Sequence, residues 1–206
     1  MSIWSVGACI RLVLPVSRLP GRVWVSLLMG GLLFIGLNYL LRHKTYYRHW
    51  RAFLFTFIHE SIHSGAALLA GHLPLSQTVN IETGAFRYQK QSDWFQMYVY
   101  LLPYVVAPGV LLLALFRPYV TPSAGLWYDG LMGFGIALHA LRLRRQTGFH
   151  QTDLKTIGRE WSVAFISIHQ IWFWSLILSR FVGLSLWEFS FVTIRTTVEQ
   201  VVNLLN

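Results

Sequence analysis

The chain has 206 residues, of which 54% are apolar, 16% aromatic and only 12% charged, a balance too greasy and too charge-poor for an ordinary soluble domain. Its formal charge of +9 does not indicate a nucleic-acid partner, because the Lys and Arg residues cluster in short connections beside apolar runs, where the positive-inside rule accounts for them. Cys9 is the only cysteine, which excludes an internal disulfide and a cysteine-cluster metal site, so any metal must be held by nitrogen and oxygen.

The expected fold class is an all-α multi-pass membrane protein, a bundle of about five transmembrane helices of roughly 20 residues each. Residues 1–206 are expected to form a single integral-membrane domain. Residues 1–21 mix Arg11 and Arg18 with Pro15 and Pro20, which suits an interfacial segment better than a signal peptide. Val23 to Leu41 is a run of 19 residues without a charge, long enough to span, and its Gly30, Gly31 and Gly36 permit close helix approach. Arg42 to Arg51 reads as a basic, aromatic connection on the cytoplasmic side, with its Tyr and Trp residues at the lipid headgroups.

The next run, Ala52 to Ala70, contains His59-Glu60-Ser61-Ile62-His63, with Gly71 as the helix stop. Residues four apart stack on one helix face, so His59 and His63 can offer two imidazoles to one metal ion while Glu60 stands ready to take a proton from water. With 8 His and 5 Glu in the chain, chance placement yields this pattern in roughly one chain in a hundred. Thr56, His59, Glu60, His63, Ala67 and Gly71 fall on one side of the helix, and Phe53, Leu54, Phe57, Ile58 and Leu68 cover the rest. Polar and small residues facing inward, with bulky ones facing lipid, are what a buried metal site requires. Starting the helix at Ala52 puts the motif about 10 Å along it.

After the motif, Thr78 to Ile81 and Ala85 to Tyr88 alternate around Thr83-Gly84, the pattern of a small hairpin whose edge can hold an extended peptide by strand addition. Phe95 to Phe116 is uncharged but broken by Pro103 and Pro108-Gly109, so it is either one kinked span or two half-helices that turn back. Gly125 to Leu141 and Trp161 to Val182 read as further spans, separated by a second basic connection. From Ser185 onward, capping-box spacing and apolar residues every three or four positions predict an amphipathic terminal helix.

A catalytic zinc site wants a third protein ligand, and Asp129 and Asp153 are the candidates. If every apolar run crosses once, Asp129 enters the membrane about as deep as His59. If the proline-broken run turns back, both basic connections become cytoplasmic, and Asp153 and His139 flank the face from which the motif helix enters. Either aspartate can instead cap a helix. His139 and His169 are more often satisfied core histidines than ligands, and His72 and His150 lie in connections.

The motif in an early span, followed by small residues, Gly71 and a strand-like stretch, resembles the site-2 protease family of intramembrane zinc metallopeptidases. That resemblance implies Zn²⁺ within the membrane, with Glu60 activating a water. It also implies cleavage of a membrane protein or peptide substrate in or near a transmembrane segment; the expected location is the plasma (inner) membrane of a bacterium. The family's third ligand lies in an Asp-Gly pair, which Asp129-Gly130 matches. His139, Gln151-Thr152-Asp153 and Gly158 are similar to the pattern in small membrane proteins of the same broad group, and this likeness implies Asp153, the preferred of the two. The expected function is therefore a membrane metalloendopeptidase. The alternative is a non-catalytic relative that binds metal or a partner.

Overall fold

The computed structural model describes residues 19–80, 84–88, 95–146 and 151–184, with isolated positions at 188 and 195. The segment expected at the N-terminal interface and the amphipathic C-terminal helix lie outside the described residues. The structure is mostly helical, with helices α1 (Gly21–Leu41), α2 (Thr45–Leu69), α3 (Gln96–Leu101), α4 (Pro108–Phe116), α5 (Pro122–Gln146), α6 (Thr152–Ile157) and α7 (Arg159–Phe181). Strands β1 (Pro74–Val79) and β2 (Gly84–Tyr88) pair antiparallel, with Val79 opposite Gly84, Thr78 opposite Ala85 and Ser76 opposite Arg87. The hairpin is thus present, and its first strand begins at Pro74, ahead of the predicted Thr78.

Helices α1, α2 and α7 are long and apolar enough to cross a membrane, and α3 with α4 supplies a fourth candidate if the two form one broken span. Five such helices are not found among the described residues. Helix α5 is long enough, but it carries Asp129, His139, Arg142, Arg144 and Arg145 and is not among the candidates. It also starts at Pro122, where proline's fixed φ suits the first turn, not at Gly125. The run 95–116 is interrupted at Val105 to Ala107, after a 3-10 turn over Leu102–Tyr104.

The motif helix begins at Thr45, seven residues before the predicted start. Nothing between Thr45 and Arg51 breaks a helix, and side chains three or four apart link that stretch to the rest: Trp50 Nε1 donates to the Tyr46 hydroxyl, and Trp50 meets Phe53 edge-on at 6.2 Å. His59 therefore lies about 21 Å along the helix. Phe55, His59, Glu60, Ile62, His63, Ala66 and Ala67 are buried, whereas Phe53, Leu54, Phe57 and Leu68 are exposed. Of the stripe read from the spacing, His59, Glu60, His63 and Ala67 are buried, Thr56 is half-buried and Gly71 is exposed beyond the helix end, while Phe55, Ile62 and Ala66 widen the buried face. The end of α2 is a Schellman motif: Gly71 has φ +78°, its N–H donates to Leu68 O at 3.0 Å, and His72 N–H donates to Ala67 O at 2.8 Å.

The chain divides into two compact units, residues 1–32, 107–137 and 167–206 in one and 33–106 with 138–166 in the other. In the first, Gly30 lies against the Gly130 backbone and Gly133 against that of Leu27, so tightly that a Cβ at either glycine would overlap main-chain atoms. Leu176 packs there with Leu111 and Leu184. In the second unit, Ala66 and Ala67 of α2 pack on Val99 of α3, with Ala70 and Leu102 beside them, and Tyr98 meets Phe165 edge-on at 5.0 Å. Small residues on α2 let α3 approach closely, and that approach positions the site described next.

Candidate metal centre

All groups at this centre belong to the second unit. His59 and His63 rise from adjacent turns of α2 with ring centroids 4.7 Å apart. Their Nε2 atoms are 3.1 Å from each other, and Asp153 Oδ2, from the first turn of α6, lies 3.2 Å from His59 Nε2 and 3.3 Å from His63 Nε2. These three residues form a group that can hold a metal ion. Ligands at 2.0–2.1 Å from zinc in tetrahedral array stand about 3.3 Å apart, so the observed triangle has nearly the edge lengths such an ion imposes.

The tautomer of His63 is set by a neighbouring backbone. Its Nδ1–H donates to Val99 O at 2.6 Å, which turns the Nε2 lone pair toward Asp153 and His59. Val99 O is free for this because residue 103 is proline: with no N–H at 103, the usual helical donor four residues ahead is missing. An imidazole lone pair and a carboxylate oxygen then face each other at 3.3 Å. Two acceptors in that position call for a proton or a cation between them.

Further residues complete the surroundings. The Tyr104 hydroxyl donates to Asp153 Oδ2 at 3.3 Å, and its wholly buried ring stands edge-on to His59 with centroids 5.2 Å apart. Burial alone would raise the affinity of Asp153 for a proton; where a proton and not a cation fills the space between them, hydrogen bonding from the His59 and His63 imidazoles outweighs burial and holds the carboxyl below the usual carboxylate range. Gln146 Nε2 donates to Phe55 O at 3.2 Å, tying the end of α5 to the motif helix one turn before His59. Arg142, which opens the second basic connection expected after Leu141, is instead inside α5, buried, and donates to Pro103 O and Val106 O, both at 2.8 Å. It supplies donors that the interrupted helix cannot.

Glu60 is buried on the same turn and faces a cavity of about 340 Å³ that also holds His59, His63 and Asp153. Gly84, the first residue of β2, lies so close to the Glu60 carboxylate that a Cβ there would overlap it. Ala85 and Arg87 of the same strand line the cavity.

Of the other predicted residues, Asp129 lies in the first unit and is engaged by Arg117 through both oxygens, Nε to Oδ1 at 2.5 Å and Nη2 to Oδ2 at 3.0 Å. Asp129 is fully buried inside α5, so it caps no helix. His139 Nδ1 accepts from Arg142 at 3.2 Å, and His169 is half-buried in α7. Neither belongs to the ligand group. Tyr104 has no signal in the sequence, and Gly84 is legible there only as part of the hairpin turn. Pro103 was noted only as a helix breaker, although its missing N–H was the available signal for a free carbonyl near the site. Comparison with protein-family models, with curated proteins and with solved structures returned no match for this chain.

Proposed function

We propose that the protein is a zinc-dependent hydrolase of peptide bonds in or near membrane segments, related to the site-2 proteases. In this reading it is a multi-pass protein of a bacterial plasma membrane. The observation that carries it is the convergence of His59 Nε2, His63 Nε2 and Asp153 Oδ2 within 3.3 Å of one another, in the same cavity as Glu60. The donor set, two neutral imidazoles and one carboxylate, is that of a catalytic zinc site, which keeps a further position open. Zinc, when bound, supplies Lewis acidity and brings the pKa of water from about 16 toward 7.

The chain's own residues account for the remaining steps. Glu60 takes the proton from the attacking water and returns it to the leaving amine. Its carboxylate is held against the backbone of Gly84, where no side chain intervenes. The edge of β2 beside the cavity suits an extended peptide, whose bonds a helix would conceal. Tyr104 orients Asp153, and Val99 O orients His63.

The test is Glu60→Gln in purified protein reconstituted with zinc. We expect one zinc per chain in both forms and loss of cleavage of a membrane-spanning test peptide in the variant. Equal cleavage by both forms would remove Glu60 from its role, and absence of bound zinc in the wild type would end the reading altogether.

A further inference from the structure

The cavity beside the ligand group has an uneven distribution of charge. Its two carboxylates are Glu60 and Asp153, and both stand at the metal side. Among the described residues lining it, Arg87 is the only Arg or Lys, with the neutral polar Gln151 and Thr152 on the wall formed by the start of α6. Ala85 and Arg87 are two apart on β2 and therefore project to the same side of the strand. The Arg87 guanidinium makes no ion pair or hydrogen bond with any described residue. With a divalent cation in place the cavity carries a net positive charge, two positive from the ion and one from Arg87 against two carboxylates.

A guanidinium that has no acidic partner among the described residues and lines a partly enclosed cavity is arranged to meet an anion from outside, and its planar fork matches a carboxylate. We propose that Arg87 selects substrates that present a carboxylate to this cavity, either an Asp or Glu side chain near the scissile bond or a free C terminus. The proposal rests on the peptide-hydrolase reading for the identity of the ligand. Arg87 acts here as a specificity residue, separate from the proton transfers assigned to Glu60.

The test uses zinc-loaded Glu60→Gln protein and short fluorescein-labelled Ala/Leu peptides with Glu or Gln at one central position, each with a free or an amidated C terminus. Binding is read by fluorescence anisotropy, so no turnover is needed. The carboxylate-bearing peptides should bind about tenfold tighter than the neutral one, the scale of one charge-assisted hydrogen bond. Adding Arg87→Ala should erase that difference while zinc stoichiometry stays unchanged. A preference that follows Glu identifies the side chain as the recognised group, and one that follows the terminus identifies the C-terminal carboxylate. Equal binding of all the peptides, no binding of any, or a preference that survives Arg87→Ala and so belongs to the metal, would overturn the proposal. Discrimination without cleavage by wild-type protein would refute the hydrolase reading alone. Cleavage without discrimination would refute the role of Arg87 alone.

Discussion

Replacing Tyr104 by Phe removes one oxygen and nothing else from the metal centre. The ring keeps its edge-on packing with His59 at 5.2 Å, so any effect on the metal is traceable to the hydroxyl, which donates to Asp153 Oδ2. A hydrogen bond to an ionised group contributes about 1.5–3 kcal/mol. At 3.3 Å this one is longer than the usual 2.7–2.8 Å for a hydroxyl donor, which puts it at or just below the lower end of that range. About 1.4 kcal/mol corresponds to a tenfold weaker zinc affinity, the lower bound of what residues supporting metal ligands typically contribute. The assay is zinc competition against a fluorescent chelator in detergent at neutral pH, with thermal unfolding of the metal-free variant as a control. An affinity within twofold of wild type, with unfolding unchanged, would show that Asp153 is held by its helix and not by Tyr104.

Two other substitutions separate the parts of the site. Gly84→Ala forces a Cβ onto the Glu60 carboxylate, and because a displacement of about 1 Å can cost a hundredfold in rate, cleavage should fall by about that factor while zinc content, measured by atomic absorption, stays at wild-type level. Asp153→Ala should reduce bound zinc at least about a hundredfold. Asp129→Ala should leave zinc in place and lower thermal stability, because it strands Arg117; as that guanidinium is one-fifth exposed, about 2 kcal/mol is expected in place of the 3–5 typical of a fully buried pair.

What could be read from the sequence was local or compositional. The stacking of His59 over His63, the inward face of α2, the Gly71 stop and the hairpin all follow from short-range periodicity, and all four are present. The start of α2 was misplaced because charge was taken to mean connection, although the stretch from Thr45 contains no residue that ends a helix. Asp129 and Asp153 are separable in the sequence by assumptions about which runs cross and by resemblance, not by local pattern, since the contacts that distinguish them are long-range. Asp153 meets His59 from 94 positions away, and Tyr104 meets Asp153 from 49. Arg142 was hidden differently, because a buried cation satisfied by carbonyls looks, in sequence, like any loop arginine next to a span.

The carbonyl that steers His63 has a consequence for redesign. A swap at position 103 from proline to a good helix former would count as harmless on every propensity scale, and as stabilising on most. It would nevertheless hand Val99 O a rival hydrogen from its own helix, loosening the imidazole's grip on its orientation without altering a single liganding atom. The centre's geometry is thus recorded partly in a hydrogen that a pyrrolidine ring does not possess.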